Sequence, residues 1–207
     1  MTEPQATVFI VDDDEAVRDS LKMLMESVGL GTEVFASAQE FLALFDDERA
    51  GCLVLDIRMP GMSGLELQGV LNERRSMLPV IFITGHGDVP MAVQAIRGGA
   101  QDFIQKPFRE QELLDRVQQV LAEDSHNRDV LHDKRDILER LAKLTPRERE
   151  VLDLVVAGNA NKVIAIDLGL SQRTVEIHRA HVMDKMQTKS LAHLVRMMIS
   201  VEGDSSQ

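Results

Sequence analysis

At 207 residues and 44% hydrophobic composition, the chain can build one large or two small packed domains, and it holds no apolar run of the roughly 18 residues that a membrane helix needs. Met1 to Ala6 lacks a basic region followed by an apolar stretch, so no secretion signal is expected, and a single cysteine, Cys52, excludes an internal disulfide framework; a reducing cytoplasm is the expected compartment. The net charge of −11 argues by itself against a nucleic-acid partner, but it is unevenly spread: −12 over 1–125, zero over 126–140, +3 over 141–200 and −2 over 201–207, which predicts an acidic body and a mildly basic body with different partners.

The first 120 or so residues alternate short apolar runs with amphipathic segments. Val8-Phe9-Ile10-Val11 predicts a buried strand. Val17, Leu21, Leu24 and Val28 follow at helical spacing, with Gly29 as a cap. A weaker strand is expected at 32–35. Ser37 and Glu40 then form a capping-box signature ahead of Phe41, Leu42 and Phe45. Cys52-Leu53-Val54-Leu55 is a second buried strand, with Cys52 a core thiol. Ser63 and Glu66 open a helix to about Arg75. Val80-Ile81-Phe82-Ile83 is a third buried strand, and a helix over 89–97 ends at Gly98-Gly99. Phe103-Ile104 is a short last strand before a helix from about Phe108. Five such units with continuous apolar strands predict a parallel α/β sheet covered on both faces.

The charged stretch 122–142 has no Pro or Gly and predicts a solvated helical linker that extends the preceding helix, although Ile137, Leu141 and Leu144 keep helical spacing. From there the pattern is all helical. Thr145-Pro146-Arg147-Glu148 is a strong helix start, and that helix should stop at Gly158. Asn161 to Leu168 is a short helix and Gly169-Leu170 a turn. Ser171 caps a helix to about Met186, with Val175, Val182 and Met186 inward, and Leu191, Leu194, Val195 and Met198 mark a last one. Two helices joined by a short glycine-containing turn fit a helix-turn-helix. The resulting division is 1–121, a linker at 122–142, and 143–207.

Ligands of open parallel sheets bind beyond the carboxyl ends of the strands. Asp12 and Asp13 follow the first strand, Asp56 and Thr84 end the second and third apolar runs, and Lys106 follows the last. Carboxylates forced together repel, and a hard divalent cation offsets the repulsion; oxygen donors suit Mg²⁺. One carboxylate could then act as a nucleophile towards a phosphoryl group, with the metal, Lys106 and the Thr84 hydroxyl each neutralising an oxygen. His86, in a Gly-His-Gly loop, is expected to be solvated, and Met59, Met62 and Met91 to be packing residues.

The set Asp12-Asp13, Asp56, Thr84 and Lys106-Pro107, with the stretch Asp56-Ile57-Arg58-Met59-Pro60-Gly61-Met62-Ser63-Gly64, resembles a response-regulator receiver domain. Three further segments resemble a LuxR-type DNA-binding domain: Leu144 to Leu152, Gly158 to Lys162 and Ser171 to Arg179. Together they resemble the FixJ branch of the FixJ/NarL family over essentially the whole chain. The resemblance implies a flavodoxin-like sheet in the order 2-1-3-4-5, a small four-helix DNA-binding domain, and a cis bond before Pro107. It implies that Asp56 accepts a phosphoryl group from a sensor histidine kinase. It also implies that Asp12, Asp13, Asp56 and the Arg58 carbonyl arrange Mg²⁺.

Thr84 would turn inward and let Phe103 follow, and the face formed by 89–97 and 102–105 would pair two copies into a homodimer. Phe103 reads equally well as plain core packing. For promoter DNA, Lys162, Ser171, Arg173, Thr174, Arg179 and Lys185 are candidate phosphate contacts, and Glu176, Ile177 and Ala180 candidate base contacts, with Glu176 suited to cytosine N4. His178 and His181 fit either packing or phosphate contact. The expected role is a transcription regulator that meets RNA polymerase at its promoter, acting on no substrate beyond its own phosphoryl transfer.

Two rivals fit less well. A magnesium phosphatase of the haloacid dehalogenase type wants a second Asp where Arg58 stands. A ligand-sensing LuxR-type regulator wants an aromatic-lined pocket, and the chain has no Trp or Tyr.

Overall fold

The computed structural model describes residues 6–46, 49–85 and 89–202, which places His86 outside the described residues. The chain divides into two compact units, Met1–Arg128 and Asp129–Gln207. In the first unit β1 (Thr7–Val11), α1 (Glu15–Ser27), β2 (Gly31–Phe35), α2 (Ala38–Leu44), β3 (Gly51–Asp56), α3 (Gly64–Glu73), β4 (Val80–Thr84), α4 (Val89–Arg97) and β5 (Asp102–Gln105) alternate along the chain. The strands form a parallel sheet in the order β2-β1-β3-β4-β5, the order the family resemblance implies.

Side chains of a strand point alternately to its two faces, so each apolar run feeds two cores. Phe9, Val11, Leu53, Leu55 and Phe82 lie on one face with Phe41 of α2, Leu67 of α3 and Ala95 of α4. Val8, Ile10, Cys52, Val54, Ile81 and Ile83 lie on the other with Leu21 and Met25 of α1. Burial pushes the Cys52 thiol pKa up to about 12, which makes it inert. The last helix of the unit, α5 (Glu110–Ala142), covers this second face with Leu113, Val117 and Leu121.

Local chemistry places the turns. Gly29 (φ +80°) follows the Val28 cap of α1, so the helical stripe stops early: Met25 is fully buried and Val28 is 43% exposed, against the inward position its spacing predicts. Ser63 and Glu66 close a complete capping box on α3. Ser37 and Glu40 make only half of one, because the Glu40 carboxylate accepts from the Ala36 N–H instead. Gly51 stands where any Cβ would lie 1.9 Å from the Thr7 carbonyl oxygen, so the start of β3 admits no side chain.

The helix α5 continues through the whole of 122–142. Its charged stretch is not uniformly solvated. Asp124 is 5% exposed and accepts hydrogen bonds from the Gly51 N–H (3.3 Å) and Arg128 Nε (2.8 Å). Ile137 and Leu141 are buried in the core of the second unit. That core also takes residues from α6 (Pro146–Val156), α7 (Asn161–Leu168), α8 (Gln172–Lys185) and α9 (Leu191–Glu202). Gly169 caps α7 in the left-handed conformation (φ +65°), making the tight turn into α8. Leu191 starts α9 exposed, and Leu194, Met197 and Met198 carry its buried face.

Among the described residues, no buried side chain of the first unit's two cores also belongs to the core of the second unit. Truncating Phe41, which is fully buried between Phe9, Phe35 and Phe45, should therefore destabilise the first unit by about 3–5 kcal/mol. In a denaturant titration of Phe41→Ala, the transition of the second unit should keep its wild-type midpoint; a joint shift would show that the cores are not independent.

Candidate functional site

Parallel pairing brings the carboxyl ends of the strands to one rim. Val11 pairs with Leu55, Asp56 with Ile83 and Thr84 with Gln105, so the residues at or just past those positions are neighbours. Asp12 is 2% exposed, Asp56 7% and Thr84 1%. One ammonium ties the two acids together: Lys106 Nζ lies 2.8 Å from Asp12 Oδ2 and 3.3 Å from Asp56 Oδ1. The peptide bond between Lys106 and Pro107 is cis.

Each carboxylate is also held by backbone. The Asp14 N–H donates to Asp12 Oδ1 (2.9 Å), and the Arg58 N–H donates to Asp56 Oδ2 (2.6 Å). Arg18, which sequence reasoning missed, donates from Nη1 to the Asp12 carbonyl (2.7 Å). Burial raises the pKa of Asp56; Lys106 pulls it down and the charge of Asp12 adds to the rise. Burial acts against the charged form of Lys106, but its bonds to Asp12 and Asp56 outweigh that and leave its pKa raised.

Asp13 and Arg58 stand exposed on the same loops. Among the described residues no three acidic, histidine or cysteine side chains form a ready cation cage, and Asp12 and Asp56 stand as a pair bound by Lys106. That donor set still suits Mg²⁺, which keeps most of its water and takes one or two carboxylates. Phe103, on β5, is half-buried against the core that holds Met91 and Ala95.

In the second unit, Lys162, Ser171, Arg173, Glu176, Ile177 and Ala180 are exposed along the start of α7 and the outer face of α8. Ser171 Oγ accepts from the Thr174 N–H (3.1 Å) and meets the Thr174 hydroxyl (2.8 Å), which fixes the first turn of α8. Two cationic candidate contacts are engaged within the fold. Lys185 Nζ lies 2.6 Å from Glu148 Oε2. Arg179 donates to Asn161 Oδ1. His178 is half-buried, and among the described residues its Nδ1 is buried without a hydrogen-bond partner, which favours the packing role. His181 is exposed, 3.6 Å from Glu148 Oε1. Glu148 itself is 4% exposed, and its second role, beyond the capping box with Thr145, is a tertiary one that no local pattern announces.

The comparisons with known proteins converge on these two units. The response regulator receiver domain matches residues 8–118, and the family of bacterial regulatory proteins of the luxR type matches 142–198. The chain is 49% identical over 194 residues to the transcriptional regulatory protein FixJ of Rhizobium meliloti (strain 1021), covering 94% of this chain and 95% of that one. The chain belongs to the FixJ branch of the response regulators.

This response regulator is also 47% identical to nodulation protein W of Bradyrhizobium diazoefficiens, over 93% of its own length and 85% of the relative's. Its fold matches the solved response regulator StyR with a TM-score of 0.87 at 44% identity, covering 94% and 98% of the two chains. It matches full-length FixJ from B. japonicum with a TM-score of 0.60 at 40% identity, covering 97% and 99%. The regulator is accordingly a two-component, FixJ-like transcriptional regulator with a receiver and a LuxR-type DNA-binding domain. Among its described residues no helix is long and apolar enough to cross a membrane.

The Glu148–Lys185 pair generates a pH prediction. Lys185 and the Thr145 N–H hold the Glu148 carboxylate at a pKa of about 2, against 4.5 ordinarily. A depressed folded-state value means the stabilisation is present above pH 4.5 and is lost as pH falls towards about 2. The second unit should therefore lose stability through that window in acid unfolding, and Glu148→Gln should flatten the loss; an unchanged profile would show that the pair contributes nothing.

Proposed function

We propose that this response regulator is a phosphorylation-dependent promoter switch in which Asp56 is the phosphoacceptor. The observation that carries this reading is the Lys106 ammonium bridging Asp12 and Asp56, because it puts a nucleophile, a second acid and a cation at one buried rim. We read 1–121 as the phosphoacceptor domain, 122–142 as the connecting helix and 143–207 as the DNA-binding domain.

A carboxylate oxygen of Asp56 attacks the phosphorus of a phosphohistidine on a sensor kinase. The P–N bond breaks as the new O–P bond forms, and the imidazole leaves. Lys106 shifts from the two carboxylates to a phosphoryl oxygen, and the Thr84 hydroxyl takes another. Asp12, Asp13, Asp56 and the Arg58 carbonyl would hold a Mg²⁺ ion, which when bound neutralises charge on the transferring group.

The turn of Thr84 opens room for Phe103, and the surface of α4 and β5 rearranges. Val89, Val93 and Ile96 already form an exposed apolar stripe on α4 at i, i+4, i+7 spacing, and this supports pairing of two copies there. The homodimer then presents two copies of α8 to double-stranded promoter DNA. Arg173, Lys162, Ser171 and Thr174 meet phosphates; Glu176, Ile177 and Ala180 face bases, with Glu176 accepting from cytosine N4. RNA polymerase is the partner of the bound regulator.

Mass and DNA affinity with and without Mg²⁺ and a small phosphodonor test the reading. The wild-type chain should become a dimer and bind its selected DNA at least about tenfold more tightly, equivalent to 1.4 kcal/mol. Asp56→Asn should do neither. Unchanged mass together with unchanged affinity in the wild type removes the proposal.

A further inference from the structure

We propose that Arg179 and Asn161 are a positioning pair that sets the angle of the recognition helix, and that Arg179 does not neutralise a DNA phosphate. The inference rests on the reading that α8 enters DNA, and it changes the role that the sequence suggests for Arg179.

The position of Arg179 on α8 is the first observation. Val175, Val182 and Met186 are buried at 0–2% exposure. With Arg179 they complete the i, i+4, i+7, i+11 stripe of a helix that packs inward. Arg179 is thus an arginine in a core-facing slot, and it is half-buried. Arg179 lines a small void with Val151 and Val155 of α6, Val182 and Met183 of α8 and Leu194 of α9. Long cationic side chains commonly lay an apolar stem along a core and extend the charged head outward.

The partner of the head is the second observation. Arg179 Nη1 donates to Asn161 Oδ1 at 2.5 Å. Asn161 is the first residue of α7, and its N-cap, Ala160, supplies no side-chain hydrogen bond. The N-terminus of a helix carries partial positive charge, which disfavours a guanidinium beside it. The acceptor is an amide, so it offers no charge to offset that. A contact kept under those conditions fixes geometry: it joins the start of the first helix of the helix-turn-helix to the middle of the second. Arg173 and Lys162, in contrast, are exposed and free to meet phosphates.

A displaced recognition helix loses base contacts before it loses backbone charge. The two roles therefore separate in the salt dependence, since each phosphate contact contributes about 0.9 to the slope of log affinity against log salt. The experiment uses the full chain with a phosphodonor, a duplex selected for wild-type binding, and an unrelated duplex of equal length. Arg179→Met keeps the stem and removes the head; Asn161→Ala removes the acceptor.

Each should bind the selected duplex about tenfold more weakly, keep binding of the unrelated duplex within about threefold, and retain the wild-type salt slope. The double variant should be no worse than either single one. Asn161→Asp should restore selectivity, and Arg173→Ala should lower the slope by about one. Helical signal and melting are recorded for every variant, and Asn161→Ala carries the test if Arg179→Met does not fold. A slope reduced by about one in Arg179→Met, additive losses, or full selectivity in Asn161→Ala would overturn the pair. If the wild type selects no DNA at all, the reading of α8 as a recognition helix fails first and takes this inference with it.

Discussion

Two buried carboxylates at the end of a sheet repel each other unless a cation or a bound proton offsets their charge. In this regulator the ammonium of Lys106 is that cation, set between Asp12 and Asp56. Breaking such a buried group by removing one partner is far more costly than its net worth suggests, because it strands the remaining charge. The rim therefore depends on Lys106 to balance the two acids. The sheet supplies the geometry: parallel strands put all their carboxyl ends on one side, where β3 and β4 end in Asp56 and Thr84 and the loops after β1 and β5 begin with Asp12 and Lys106.

The second unit repeats the logic with different parts. Glu148 pairs with Lys185, which links the first turn of α6 to the end of α8. Arg179 reaches the start of α7. Internal polar contacts therefore brace α8 on its inner side while Arg173, Glu176, Ile177 and Ala180 stay exposed on the outer. Such bracing fits the proposed role of α8, since a displacement of about 1 Å at a functional group is enough to degrade its geometry.

Much of this was legible in the chain. Continuous apolar runs named the strands, and the polar residues that follow them named the rim. Pro146 with Thr145 and Glu148, and Gly169 before Ser171, marked the helix ends through capping chemistry that acts within a few residues. What stayed hidden depends on tertiary contact. Asp124 sits in a stretch whose composition predicts solvent, yet it is buried against the backbone of Gly51. Lys185 looks like a surface cation until Glu148 is found beneath it. Asp13 adjoins Asp12 in sequence but is exposed in the loop after β1, where Asp12 is buried. Val28 follows the helical period but falls one residue beyond the helix that would have buried it.

Asp12 and Asp56, bridged by Lys106, form one electrostatic unit, and the proposed switch requires that unit to accept a divalent ion. Calorimetric titration of Mg²⁺ into the unphosphorylated regulator tests it most directly. The account predicts one binding event, with affinity reduced at least about tenfold in Asp12→Asn and in Asp56→Asn, each variant shown to be folded. Absence of binding by the wild type, or affinity unaltered in both variants, would contradict it.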